Sequence, residues 1–198
     1  MVKVAQTELI TGAIAGKVVS FPTDTVPALA VKPDLGQAIY QLKQRPQDKP
    51  LILLGATIDD LLTYVKYSPE ELVTWQDLIK LHLPGALTLV LPASDKVPPA
   101  INTTESKTVG IRIPNSNWAL AILRETGVMA TSSANLSGQN TLVTMDAIDA
   151  TFPEVMVLEA DKLPGDRPVG SGQPSTVICW QNQSWQVLRQ GSVEILSS

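Results

Sequence analysis

Hydrophobic positions along this chain recur at two spacings, and the spacings take turns. Leu9, Ile10, Ala13 and Ile14 fall three and four apart, which predicts a helix over residues 5–15. A short apolar strand over 17–21 follows, broken by Pro22-Thr23-Asp24-Thr25, and residues 28–31 read as a second strand. Asp34 stands where it can cap a helix carrying Leu35, Ile39 and Leu42, and 51–54 is again strand-like. Thr57-Ile58-Asp59-Asp60 and Ser68-Pro69-Glu70-Glu71 have the spacing of helix starts, the second with proline at the first helical position. Leu83-Pro84-Gly85 ends that helix. Strands are predicted over 87–91 and 109–113, then a helix over 118–125 stopped by Gly127, and a strand over 128–131. A helix near 145–150 and strands near 155–158, 176–180 and 185–189 complete the pattern, the last two joined by the polar turn Gln181-Asn182-Gln183. Helices and strands interleave, but that closing hairpin requires an antiparallel pair. The expected fold class is therefore α/β with a sheet of mixed direction.

Composition narrows this. The chain has 198 residues, 44% hydrophobic and 17% charged, which suits a globular fold with one good core. No Gly/Ser-rich or charge-rich linker divides it, so one domain over 1–198 is expected. Cys179 is the single cysteine, so no internal disulfide can form, and a cytoplasmic setting is expected. No stretch approaches the roughly 20 apolar residues of a membrane helix. Glu8 and Thr11 interrupt the place of a signal peptide's apolar block, so no export signal is expected. A net charge of −4 argues against loose, sequence-independent nucleic-acid binding but leaves room for a local positive pocket.

Two loops carry candidate chemistry. Lys43, Arg45 and Lys49 lie within seven residues directly after a predicted helix, with Pro46 and Pro50 in the same run. Cations at a helix C-terminus are common for electrostatic reasons alone. The prolines, however, stiffen the loop, and an arginine fork beside a lysine point charge suits phosphate. The second loop is Thr131-Ser132-Ser133-Ala134-Asn135-Leu136-Ser137-Gly138. Such residues are frequent turn formers, yet they sit at the loop end of a predicted strand, where open α/β sheets bind ligands. Asp24 reads as a turn residue, with metal approach as the other option. Gly170-Ser171-Gly172 is not followed by Gly-Lys-Ser/Thr, so it is no Walker loop. The 161–174 stretch that contains it is expected to be a mobile flap. His82 and Cys179 have no partners at catalytic or zinc spacing, and the four tryptophans read as packing residues.

Five motifs in this order resemble the YrdC-like family. They are Lys43-x-Arg45-Pro46 with Lys49-Pro50-Leu51, Leu83-Pro84-Gly85-Ala86-Leu87-Thr88, Val109-Gly110-Ile111-Arg112-Ile113-Pro114, Ser133-x-Asn135, and Pro174-Ser175-Thr176-Val177. The resemblance runs from about residue 17 to 191 and is to the short, single-domain form. It implies an open twisted mixed sheet with helices packed on it and a central concave cleft. It also implies a nucleotidyltransferase that makes threonylcarbamoyl-adenylate from L-threonine, bicarbonate or carbon dioxide and ATP, releasing pyrophosphate for threonylcarbamoyladenosine modification of tRNA. Magnesium is expected with ATP, with no metal site of the protein's own. By motif, Lys43 and Arg45 would be the catalytic pair on the phosphates. Thr108, Ser133, Asn135 and Arg189 would bind the nucleotide too. Thr23, Arg112, Thr131 and Ser175 would hold threonine, Arg112 on its carboxylate. Partners implied are ATP, L-threonine, bicarbonate and possible tRNA or downstream tRNA-modification proteins. The chain departs from the family pattern at Val26-Pro27-Ala28-Leu29-Ala30, where an aromatic and two glycines are usual. A non-catalytic RNA-binding paralogue and carbamoyl-adenylate chemistry on another acceptor stand as alternatives.

Overall fold

The computed structural model describes residues 3–46, 49–101 and 107–195. Its chain order is β1 (Lys3–Val4), α1 (Gln6–Ile14), β2 (Val19–Phe21), β3 (Ala28–Val31), a 3-10 turn (Pro33–Leu35), α2 (Gln37–Lys43), β4 (Ile52–Leu54), α3 (Ile58–Leu62) and α4 (Pro69–His82). Then follow β5 (Leu87–Pro92), β6 (Thr108–Arg112), α5 (Asn117–Thr126), β7 (Met129–Ser133), α6 (Met145–Thr151), β8 (Met156–Leu158), β9 (Thr176–Gln181) and β10 (Ser184–Arg189). All strands of the described residues join one ten-stranded sheet in the order β1-β8-β2-β3-β7-β4-β6-β5-β9-β10. Directions are mixed, as the closing hairpin required. β4 runs parallel to β6 and β5 parallel to β9, while β3–β7, β7–β4, β6–β5 and β9–β10 are antiparallel.

The alternation of side chains divides the apolar residues between two cores. On one face α1, α5 and α6 bring Leu9, Ala119, Ile122 and Ile148 against Val19, Phe21, Leu54 and Val157. On the other α2, α3 and α4 bring Ile39, Leu61, Trp75 and Ile79 against Leu53, Leu87, Leu89, Leu91 and Ile111. Coverage is unequal. The second face is covered beneath β4, β6, β5 and β9. On the first face the helices lie over β8 and β2 and reach β4 at Leu54, while β6, β5 and β9 place no residue in that core. That bare stretch carries Thr88, between the inward Leu87 and Leu89, with Gly110 and Arg112 on the neighbouring β6 and Gly110 in register with Ile52 of β4.

Local signals explain most boundaries. Ser68 and Glu71 form a reciprocal capping box at α4, Ser68 N–H donating to Glu71 Oε2 at 2.9 Å and Glu71 N–H to Ser68 Oγ at 3.2 Å. Gly127 closes α5 at φ 75°, and Asn182 and Gln183 at φ 52° and 57° make the tight turn between β9 and β10. Two expectations fail. Asp34 caps no helix; it lies in the 3-10 turn, and α2 begins only after Gly36. Gly36, itself in right-handed helical geometry, joins the two without a side-chain cap, and a Cβ there would lie 2.5 Å from the Ala100 carbonyl oxygen. The 161–174 stretch is docked rather than free: Ser171 and Gly172 donate backbone bonds to the Asp24 and Thr25 carbonyls, both at 2.9 Å. No helix of the described residues is long and apolar enough to cross a membrane.

The tryptophans pack, as expected. Trp75 is fully buried on the covered face, with ring centroids of Tyr67, Trp180 and Trp185 at 6.2, 6.0 and 6.4 Å. Trp180 Nε1 donates to the same Glu71 that caps α4, at 3.1 Å. Trp75→Ala should therefore cost about 3–5 kcal/mol in a denaturant titration. A loss under about 1 kcal/mol would show that the cluster simply closes over the gap.

Candidate active-site cleft

The bare stretch of sheet is the floor of a cleft of about 240 Å³. Its walls come from the β2–β3 turn, the loop after α2, the end of β7, the start of β9 and the end of β10. Lining residues include Thr23, Thr25, Arg45, Thr88, Arg112, Thr131, Ser132, Ser133, Ser175 and Arg189, with Val26, Pro27, Ala28, Ile52 and Leu54 as apolar surface. Among the described residues three arginines line it and no carboxylate does, so these residues make the hollow locally positive on a chain of net charge −4.

The two loops singled out in the sequence meet. Lys43, at the last turn of α2, donates from Nζ to the Ser133 carbonyl and to Asn135 Oδ1, the latter at 3.1 Å. Ser133 Oγ donates to the same Oδ1 at 2.6 Å, and Ser137 N–H donates to the Lys43 carbonyl at 3.0 Å. Asn135 Nδ2 donates to the Leu136 and Gln139 carbonyls at 2.8 and 3.0 Å, which fixes the loop behind it. The Lys43 side chain is fully buried and stands inside the cleft wall rather than on its surface. Burial, aided by the Arg45 charge, pushes its ammonium down to about 7. Arg45 does reach the cleft surface, and it also ties its own loop, Nε to the Lys49 carbonyl at 3.0 Å and Nη2 to that of Pro50 at 3.3 Å.

A second corner surrounds Arg112 at the end of β6. Its guanidinium is buried and donates from Nε to the Gly85 carbonyl at 2.9 Å, from Nη1 to Thr25 Oγ1 at 2.8 Å and from Nη2 to Asp24 Oδ1 at 2.6 Å. Burial pushes its pKa below the ordinary arginine value; the Asp24 partner opposes that shift and the Arg189 charge adds to it. Thr23 Oγ1 donates to the Val26 carbonyl at 2.7 Å and lies 3.0 Å from Thr25 Oγ1, so both hydroxyls are fixed in the β2–β3 turn. Gly170, at φ 72°, lets the docked loop approach this turn: a Cβ there would lie 2.5 Å from the Thr25 carbonyl oxygen.

The third wall is Ser175, whose Oγ lies 2.8 Å from Thr88 Oγ1. Arg189 Nη2 donates to the Ser175 carbonyl at 2.8 Å and to its Oγ at 3.3 Å, bracing β10 against the start of β9. Burial lowers the Arg189 pKa. Thr131 Oγ1 donates to the Ile52 carbonyl at 3.2 Å across the floor. Of the residues expected at the site, Thr23, Arg45, Arg112, Thr131, Ser133, Ser175 and Arg189 line the cleft. Lys43 and Asn135 stand in the wall behind Ser133. Thr108 lies at the opposite end of β6 from Arg112, in register with Pro92, and does not line the cleft. Sequence reasoning missed Thr88, Thr25 and the partners of Arg112. A lone polar residue in Leu87-Thr88-Leu89 was a usable signal, because period-two alternation puts it opposite its leucine neighbours. Among the described residues no group of three or more His, Cys, Asp or Glu gathers to hold a metal ion.

Comparison with known proteins agrees with this geometry. The family model Sua5/YciO/YrdC, described as "Telomere recombination", matches residues 13–191. A threonylcarbamoyl-AMP synthase of Pseudoalteromonas translucida is 33% identical over 172 residues, covering 85% of this chain and 89% of its own. A protein of the same name from Bacillus subtilis is 36% identical over 182 residues, but this chain spans only 50% of its length. Among solved structures, P. abyssi Sua5 complexed with L-threonine superposes with a TM-score of 0.82 at 30% identity, over 96% of this chain and 55% of that one. E. coli YciO superposes at 0.81 with 25% identity, over 96% and 90%. With motif order, sheet topology and relatives in agreement, the chain belongs to the Sua5/YciO/YrdC family.

Proposed function

We propose that this cleft condenses L-threonine, bicarbonate or carbon dioxide, and ATP into threonylcarbamoyl-adenylate, releasing pyrophosphate, as a nucleotidyltransferase supplying tRNA modification. The observation that carries this reading is the convergence of three arginines, with Lys43 behind them, on one hollow edged with hydroxyls. Relatives at 33–36% identity bear the matching name, and one with this fold is complexed with L-threonine.

Threonine's amine takes up carbon dioxide to give a carbamate. A carbamate oxygen attacks the α-phosphorus of ATP in line, the bond to the bridging oxygen breaks, and pyrophosphate departs. This chemistry needs no protein nucleophile. Its requirements are alignment of two substrates and neutralisation of phosphate charge. Arg112, with Thr23 and Thr131 nearby, suits a carboxylate and a hydroxyl. Arg45, Ser133 and Arg189 suit phosphate oxygens. Lys43 adds its charge from within the wall, and Asn135 holds it there. Magnesium would arrive on ATP, because the lining offers hydroxyls rather than carboxylates; it supplies charge neutralisation on the phosphates. The product is a reactive mixed anhydride, so an acceptor system for tRNA must consume it.

The defining measurement is pyrophosphate release from ATP with magnesium and bicarbonate. Release should require L-threonine; release without it, or none, overturns the reading. Arg45→Ala should reduce kcat/KM by about 30- to 1000-fold, corresponding to roughly 2–4 kcal/mol. Unchanged kcat/KM would remove Arg45 from the phosphates.

Lys43 gives a pH signature. Its pKa of about 7 lies below the ordinary lysine value of 10.5, so at pH 8 and without a bound anion it is largely neutral. Bound phosphate favours the ammonium, so ATP binding at pH 8 should take up close to one proton and binding at pH 6 almost none. Calorimetry in buffers of different ionisation enthalpy reads this directly. The uptake should vanish in Lys43→Met. The same shift implies that the Lys43 penalty on folding is full below pH 7 and is relieved between pH 7 and 10.5, because there the unfolded chain holds the extra proton.

A further inference from the structure

We infer that Asp24 is a positioning residue that aims the Arg112 guanidinium at the carboxylate of the amino-acid substrate, an inference resting on the activity proposed above. A guanidinium has five N–H donors. Three of those on Arg112 have acceptors among the described residues: the Gly85 carbonyl, Thr25 Oγ1 and Asp24 Oδ1. One N–H on each terminal nitrogen is left, on a side chain that lines the cleft and is only 4% exposed. Two such N–H groups can serve the two oxygens of a carboxylate, provided the plane of the guanidinium is fixed.

Asp24 is the one charged acceptor in that set, at 2.6 Å, and its side chain is only 16% exposed. It is itself held. The same Oδ1 accepts the Asn115 N–H at 3.0 Å, and its carbonyl accepts the Ser171 N–H at 2.9 Å. Its neighbours Thr23 and Thr25 line the cleft, while Asp24 does not. Its reach to a ligand therefore runs through Arg112. Without Asp24, the Arg189 charge would push against a buried guanidinium held only by Gly85 and Thr25.

Steady-state kinetics on the full chain test this, with threonine varied at saturating ATP and bicarbonate. Asp24→Ala should raise the threonine KM about ten- to hundredfold, change kcat less than about threefold and leave the Kd for ATP within about twofold. Asp24→Ser, whose hydroxyl is too short to meet Nη2, should do the same and serves if the alanine protein does not fold. Asp24→Asn should recover a threonine KM within about threefold of wild type, because its amide oxygen can accept from both Nη2 and Asn115. An unchanged threonine KM in the truncated proteins overturns the inference. So does an equal loss of ATP affinity, or an asparagine protein as impaired as the alanine one. A wild-type protein without threonine-dependent pyrophosphate release sinks the activity instead. Calorimetric titration of L-threonine into wild type and Asp24→Ala then reads the aim of Arg112 alone, and equal affinities would end it.

Discussion

A sheet covered on one face and half-covered on the other must do something with its bare half. Here α3 and α4 bury Leu87, Leu89, Leu91 and Ile111 on the covered side, so strand alternation forces Thr88, Gly110 and Arg112 to the other. Water could have filled that side. Instead, the β2–β3 turn, the Leu83-Pro84-Gly85 turn and the loop docked at Gly170–Gly172 crowd round it until Arg112 is almost wholly buried. A guanidinium taken out of water is costly unless its donors are met. The three acceptors on Arg112 come from two separate turns, so meeting that demand also fixes the shape of the cleft.

Lys43 poses the same problem at the other corner, with a different answer. Among the described residues its ammonium has oxygen acceptors on Ser133 and Asn135 but no carboxylate partner, and Arg45 lies two residues away. Hydrogen bonds hold it in place while burial drives its proton off. An added anion would favour the charged form that burial disfavours. The clamp also joins α2 to the end of β7, so the position of Lys43 is fixed by the fold itself.

Much of this was legible in the chain. Period-two and period-3.6 patterns located the main strands and helices, and one hairpin signal fixed the mixed direction of the sheet. β1 escaped because two residues carry no period, and the start of α2 was misplaced because the turn holding Asp34 is 3-10 and no side chain caps the helix that follows. At the site, the Lys43–Arg45 and Ser133–Asn135 loops were visible as loops. Their meeting in one site was expected from the pairing of the two loops, but the turn of Lys43 into the wall was not. Residue spacing tells which face a side chain leaves from, and cannot tell whether a second loop covers its end. The docking of 161–174 escaped for a related reason. Composition rich in glycine and proline reads as freedom, whereas Gly170 there serves close backbone contact with the β2–β3 turn.

The departure at Val26-Pro27-Ala28-Leu29-Ala30 can be weighed on the same terms. Glycines at such places are needed when the backbone is left-handed or crosses another chain closely. Neither Ala28 nor Ala30 has a positive φ, and both pair regularly, Ala28 with Phe21 and Ser133, Ala30 with Val19 and Thr131. Pro27 has no N–H to give, but its carbonyl accepts the Ala134 N–H at 3.1 Å and anchors the start of the Ser133–Gly138 loop. The path of the backbone therefore does not depend on glycine here. What the alanine and proline alter is relief: Val26, Pro27 and Ala28 present a low apolar shelf between the Arg112 corner and the Ser133 corner. Thr23 and Thr25, in the same turn, keep their bonds to the Val26 carbonyl and to Arg112, while the Ser133 corner is held from β7.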